Sequence, residues 1–349
     1  MILTPFIMDG GNSDIKTNAP TGATREDKFP HQLAMLTESA YRRETARAGV
    51  NPDEYFVVNG QPYVIGKKAL RQGFELQHGA RRYNQEYYGV FAAIAMTRAF
   101  CKSKRNVFFV GTHAPGDVDY GGDLMTSVAN TWNVEWRGKM HTIEVVDATT
   151  LDEPLSGYYS YALRKDGKGY AHKDVSKGVS LVIDAGAYTT DIVVIDPEGD
   201  IDYSTAQSRR IGVLSAVEKF EADFRSDNRL LLKNTPDFDR RKSHDAFRSG
   251  VFDLRGLGQH SCEDQAAPLR TELAMDILNF YATYGGDGNF DTIILTGGGC
   301  ALLENELRYR MTHNNIVLAG DTASLEMANV RGASKWYRMH DELGTFDEP

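Results

Sequence analysis

Residues 179–196, VSLVIDAGAYTTDIVVID, restrict what this chain can fold into more than any other stretch. Two apolar, β-branched runs, 181–183 and 192–195, flank a polar turn that carries Asp184, Gly186, Thr189, Thr190 and Asp191. Runs without a polar face belong inside a buried sheet, and the Gly and Asp between them mark a tight hairpin. Such a turn has chemistry available to it. A glycine lets a ligand approach the backbone, N–H groups and threonine hydroxyls can cradle phosphate oxygens, and an aspartate at a strand end can hold a hydrated divalent cation. The same residues also make an ordinary turn tied by side-chain hydrogen bonds.

Two other stretches repeat the pattern. Residues 6–16, FIMDGGNSDIK, are a short apolar run broken by Asp9, Gly10 and Gly11, with Asn12, Ser13 and Lys16 following. A strand that turns through glycines presents backbone N–H groups to a phosphate, Asp9 can reach a metal through water, and Lys16 supplies a point charge. Alone, the stretch reads equally well as an Asp-Gly hairpin. Residues 291–307, DTIILTGGGCALLENEL, combine an apolar parallel-type strand, the glycines Gly297, Gly298 and Gly299, and a helix expected to begin near Ala301. Neither the P-loop pattern nor the G-x-G-x-x-G dinucleotide fingerprint with its following acidic residue is present.

Between these stretches strands and helices alternate, which implies an α/β protein with a mixed sheet. Residues 18–49 are polar, broken by Pro20 and Pro30, and read as an extended segment with a solvated charged piece at 42–47. Residues 55–65 read as a hairpin turned at Asn59-Gly60, 87–101 as a strongly apolar core helix, and 106–111 as a buried strand. A short helix at 124–132 and strands near 133–137 and 140–146 follow. Asp152 and Glu153 precede Pro154, a residue favoured in a first helical turn. An acidic residue there complements the helix dipole, but a carboxylate at the mouth of a phosphate site can also orient an attacking water. Gly212 leads into a helix at 213–224 whose Glu218 and Lys219 either lean towards a nucleotide or form a solvated face. Residues 226–258 are charged and read as a small peripheral subdomain. A long amphipathic helix is expected at 267–284, a strand at 316–318, and a last helix at 325–339 interrupted by Gly332.

The net charge of −9 leaves no electrostatic footprint for nucleic acid over the whole surface, while local basic patches stay open to it. No apolar run is long enough to span a bilayer, and the first residues lack the basic start and apolar core of a signal peptide, so a cytoplasmic protein is expected. Cys101, Cys262 and Cys300 are widely spaced and odd in number, which favours reduced structural thiols.

Taken together, Asp-Gly near the start, Asp-x-Gly-x-x-Thr-Thr-Asp in the middle and Thr-Gly-Gly-Gly late resemble, in order and spacing, the actin-like ATPase superfamily. Residues 152–161, DEPLSGYYSY, are similar to the connecting segment of heat-shock chaperones, and 325–338, LEMANVRGASKWYR, resemble the helix that closes ParM-like filament-forming actins of bacteria and archaea. The resemblance implies a duplicated, ribonuclease H-like α/β fold with two lobes around a nucleotide cleft. Lobe I would be 1–177 with the helix at about 325–340 packing back on it, and lobe II 178–324 with a variable charged subdomain at about 225–260. It further implies Mg²⁺ held through water by Asp9 and Asp184, and phosphates cradled by Gly10, Gly11, Asn12, Ser13, Gly186, Tyr188 and Thr189, with Lys16 neutralising charge. Glu153 would position the lytic water, with Asp184 also catalytic and Asp191 orienting the second hairpin or assisting the water, and Gly297, Gly298, Gly299, Gly212 and Glu218 towards the nucleoside. ATP, or GTP, would be hydrolysed by a protein that polymerises with itself. Segregation of plasmid or other DNA would run through an adaptor rather than direct DNA binding. A sugar or acetate kinase and a monomeric chaperone-like ATPase are the alternatives in the same superfamily. Two departures stand out: Gly11 replaces a residue with a side chain, and 226–258 matches no family segment.

Overall fold

Among the described residues, nine strands of the first part of the chain join one mixed sheet, and five of the second join another. The computed structural model describes residues 3–11, 13–22, 25–47, 49–70, 86–100, 104–232, 240–254, 258–285, 289–313 and 315–342. Asn12, Cys101, Arg255 and Gly286 lie outside the described residues. Contacts divide the chain into two units, Met1–Lys173 with Met327–Pro349, and Asp174–Glu326.

The first unit contains β1 (Thr4–Gly10), β2 (Asp14–Asn18), β3 (Glu26–Pro30), β4 (Leu33–Met35), α1 (Glu38–Thr45), β5 (Tyr55–Val58), β6 (Gln61–Ile65), α2 (Lys67–Leu70) and α3 (Glu86–Phe100). After them come β7 (Lys104–His113), α4 (Gly121–Val128), β8 (Thr131–Trp136), β9 (Lys139–Asp152) and α5 (Glu153–Ala162). The sheet order is β3-β2-β1-β7-β9-β8-β5-β6-β4. β5 and β6 turn at Asn59 (φ +48°) and Gly60 (φ +84°), the paired left-handed residues that a two-residue hairpin requires. α3 is apolar on every side because it is covered on nearly every side: Tyr88, Phe91, Ala92, Ala93, Ile94 and Met96 are all fully buried with Phe6, Phe56 and Phe109 of the sheet.

The segment 18–49 differs from expectation. It holds β3 and β4, the two edge strands of the sheet, and α1, an exposed helix capped by the Thr37 hydroxyl on the Ala40 N–H. Edge strands need few apolar residues, here Phe29, Leu33 and Ala34, so hydrophobic periodicity does not announce them.

The second unit contains β10 (Ser180–Ala185), β11 (Thr190–Ile195), β12 (Gln207–Arg209), α6 (Val213–Asp227), α7 (Arg229–Leu232), α8 (Arg240–Ser249), β13 (Val251–Leu254), β14 (Gly258–Ser261), α9 (Glu263–Ala282), β15 (Thr292–Thr296), α10 (Gly297–Leu302), α11 (Glu304–Arg310) and β16 (Ile316–Leu318). Its sheet order is β12-β11-β10-β15-β16. Two corrections follow. α10 begins at Gly297, so the three glycines are the first helical turn rather than a loop before Ala301. Residues 226–258 are not merely peripheral, because Phe247 and Phe252 stack with Phe220 and Phe224 of α6, all four buried, and the Ser243 hydroxyl donates to Glu221.

The two sheets repeat one pattern. β1 pairs antiparallel with β2 and parallel with β7, β2 antiparallel with β3, and β7 parallel with β9. β10, β11, β12, β15 and β16 take the same five places with the same directions. This is the expected duplicated α/β topology.

The chain ends in α12 (Ala328–Glu342), which packs on α5, β1 and β7 of the first unit. Gly332 does not interrupt it. The helix runs through, and Gly332 marks where its backbone meets that of α5: a methyl group there would overlap the Ser156 carbonyl oxygen and lie 2.7 Å from the Ser160 nitrogen.

Candidate functional site

In the first unit the candidate residues collect at the carboxyl ends of three adjacent parallel strands, where open α/β sheets bind their ligands. β1 ends at Asp9-Gly10, β7 at His113, and β9 at Asp152, from which Glu153 opens α5. Asp9 faces Lys16 across the β1–β2 ladder, and the ammonium donates to Asp9 Oδ2 at 2.9 Å. Asp9 is 1 % exposed, and its other oxygen, Oδ1, has no hydrogen-bond partner among the described residues. On the next strand its paired residue is Thr112, fully buried, whose Oγ1 is also without a partner among the described residues. Buried oxygens of this kind cost free energy unless a donor or cation reaches them. The site therefore suits a cation or its hydration water.

The glycines here are closely packed, Gly10 more tightly than Gly11. A methyl group on Gly10 would sit 2.7 Å from Tyr88 Cε2, and one on Gly11 3.0 Å from the Asp14 carbonyl and 3.5 Å from Lys16 Nζ. Ser13 is exposed beside them.

Glu153 is half-buried at the first position of α5, with Pro154 behind it. Asp152, in extended conformation at the N-cap, turns inward and lies 3.7 Å from His113 Nδ1, which also meets the Ala114 carbonyl at 3.0 Å. α12 fixes the other end of α5: Lys335 donates to the carbonyls of Ser160 and Leu163, a cation on the open C-terminus of the helix. Burial lowers the Lys335 pKa.

The second unit repeats this arrangement. Asp184 pairs with Asp191 across the β10–β11 hairpin and with Thr296 on the parallel neighbour, as Asp9 does with Lys16 and Thr112. Both aspartates are buried. The hairpin turn is closed by the Gly186 N–H on the Thr189 carbonyl, and the Thr189 hydroxyl donates to Asp191 Oδ2. Tyr188 is half-buried. Carbonyls of Gly186 and Ala187 accept from the N–H groups of Val213 and Leu214, so the turn sits on the first turn of α6.

No protein-family model matches the chain, and no curated protein matches it in sequence. Solved structures do match. The actin-like protein Alp7A superimposes with a TM-score of 0.77 at 14% identity, covering 99% of this chain and 100% of its own. An archaeal actin homologue in complex with ADP gives 0.72 at 17% identity (98% and 100% covered), and Bacillus thuringiensis ParM with ATP gives 0.72 at 14% (98% and 99%). This chain has the actin-like fold.

Within the actin-like fold the remaining candidates fall into different roles. Gly297 has φ +85°, and a methyl group there would overlap Asp184 Oδ1 and lie 2.9 Å from the Ala185 carbonyl carbon. Gly299 is buried against Ala185, and Gly298 is exposed, where a methyl group would lie 3.9 Å from Glu326 Cβ. Gly212 has no open face, since its missing side chain makes room for the Tyr188 backbone at 2.5 Å. Glu218 lies on the exposed face of α6, and its neighbour Lys219 bonds Glu272 of α9 at 2.8 Å. Cys262 and Cys300 are buried free thiols, pushed up by burial to about 11 and about 12, so neither is a nucleophile at neutral pH. Among the described residues no cluster of three His, Cys, Asp or Glu forms a metal site, and no helix is long and apolar enough to cross a membrane.

Residues with no motif complete the first turn: Tyr88 under Gly10 and His31 beside Gly11. No local sequence signal marks either.

Gly297→Ala is expected to lower stability by roughly 1–3 kcal/mol, because the left-handed conformation and the Asp184 contact both exclude a Cβ. Gly298→Ala, whose methyl group would make only an ordinary contact with Glu326, is expected to leave stability within about 0.5 kcal/mol. Thermal denaturation of the two variants checks this pair.

Proposed function

We propose that this chain binds ATP, or GTP, with Mg²⁺, hydrolyses it, and assembles with copies of itself into filaments that hydrolysis destabilises. The observation that carries this reading is the duplicated strand end: in each unit a buried aspartate stands at the same place in the sheet, beside a glycine-containing turn and a threonine on the parallel neighbour. The ATP and ADP named for two structural neighbours agree with it.

Asp9 and Asp184 would hold Mg²⁺ through water, and Asp9 Oδ1 has the vacant hydrogen-bonding capacity for this. When bound, the cation neutralises phosphate charge. The turns at Gly10, Gly11, Asn12 and Ser13, and at Gly186, Tyr188 and Thr189, receive the phosphates. Lys16 contributes its ammonium once it exchanges Asp9 for a phosphate oxygen. Glu153 accepts a proton from the attacking water and aims it, with Asp191 holding the second turn through Thr189. Gly297, Gly298 and Gly299 face the nucleoside, and Glu218 borders it. Gly212 acts through the turn it supports. The protein works in the cytoplasm, and the filament moves plasmid or other DNA through an adaptor.

Right-angle light scattering with Mg²⁺-ATP, followed by pelleting, tests the reading. The expected trace rises and then decays as nucleotide is consumed. A flat trace despite measurable turnover overturns the filament and favours a small-molecule kinase or monomeric ATPase.

A further inference from the structure

We propose that His31 is the positioning residue of the first phosphate turn, holding its carbonyls away from the anion. The inference rests on the nucleotide-binding reading above and names a residue that reading does not include.

His31 lies one residue beyond β3, opposite the turn that joins β1 to β2. It takes hold of the turn twice. Its backbone N–H donates to the Ser13 carbonyl at 3.0 Å, and its ring Nδ1 lies 2.7 Å from the Gly11 carbonyl. A carbonyl only accepts, so Nδ1 carries the proton and the imidazole is the donor. The ring is held in turn: His31 is 6 % exposed and packs edge-to-face on Phe91 of α3, with centroids 4.6 Å apart. A buried donor with one orientation and two carbonyls of one turn is a clamp, not a solvated side chain.

The consequence is electrostatic. A glycine-rich turn has many backbone conformations, and in a large share of them a carbonyl oxygen faces the ligand side, where it repels phosphate. Fixing the Gly11 and Ser13 carbonyls on His31 removes those conformations. With the Gly11 carbonyl held on the His31 ring, that oxygen is not free to face an anion. His31 thus supplies rigidity that the glycines cannot, and the ordering is completed before the anion arrives.

The test uses the full chain, a fluorescent ATP analogue with Mg²⁺, and two variants. His31→Asn keeps an N–H donor at the position of Nδ1, whereas His31→Leu keeps bulk and burial without a donor. The clamp predicts that His31→Leu binds about tenfold or more weakly and that His31→Asn stays within about threefold of wild type, with both variants folded by thermal denaturation. Equal affinity of His31→Leu and wild type overturns the clamp. So does equal weakening in both variants, which marks His31 as packing alone. Wild-type protein that binds no analogue overturns the nucleotide reading, and the clamp's role with it. If His31→Leu does not fold, His31→Asn decides, since affinity more than tenfold below wild type in that folded variant contradicts a donor role.

Discussion

Gly332→Ala is expected to destabilise the protein by about 3 kcal/mol or more, the upper range for forcing a methyl group into a packed interior. For a unit of this size that is a fall in melting temperature of roughly 6–12 °C. The sign is the informative part. Helix propensity alone favours alanine over glycine inside a helix by about 1 kcal/mol, and Gly332 is inside α12. Propensity loses because the added methyl group would overlap the Ser156 carbonyl oxygen and lie 2.7 Å from the Ser160 nitrogen, both backbone atoms of α5. No side-chain rotamer relieves that overlap, so the two helices must separate. Gly122→Ala in α4 is the control: nothing lies within 4 Å of its missing Cβ, and a change within about 0.5 kcal/mol is expected. Thermal or urea denaturation of the pair reads the difference, and a Gly332→Ala protein as stable as wild type contradicts the close helix crossing. Because α5 begins with Glu153, the variant is also expected to lose turnover.

Glu153→Gln is expected to reduce ATP turnover by about 10²-fold or more, with nucleotide affinity within a few-fold of wild type. Glutamine preserves size and hydrogen bonding while removing the basic oxygen that accepts a proton from water. Loss of the charge at the first position of α5 costs only about 0.3–1 kcal/mol of helix stability, so the fold survives. Filaments of this variant, once formed with Mg²⁺-ATP, are expected to persist where wild-type scattering decays. Single-turnover phosphate release separates the outcomes: a rate within about threefold of wild type assigns Glu153 to complementing the helix dipole alone.

Much of this molecule is legible without its structure. The hairpin of 180–195, the turn at Asn59-Gly60, the core helix α3 and the start of α5 beside Pro154 all follow from local rules, and all form as those rules require. Local rules suffice there because backbone conformation and burial on every face are written in residue type and period. The order of the three glycine-containing stretches also carries the fold, since topology follows chain order. Other features depend on what lies across the fold. β3 and β4 are edge strands with few apolar residues, and 226–258 joins a core only because Phe220 and Phe224 of α6 meet it. Gly332 reads as a helix interruption until Ser156 is seen against it. Lys16 reads as a phosphate ligand, and its ladder partner turns out to be the Asp9 carboxylate. His31 has no motif at all. Each of these residues takes its meaning from a neighbour 7 to more than 170 positions away in the chain, and only folding brings such neighbours into van der Waals and hydrogen-bonding range. The sequence by itself determined the buried strands, the tight hairpin turns and the order of the three glycine-containing stretches. The tertiary structure decided which glycines meet backbone across the fold, that the buried Asp9 Oδ1 has no hydrogen-bond partner among the described residues, and that His31 bonds the Gly11 carbonyl, because those are properties of pairs distant in sequence.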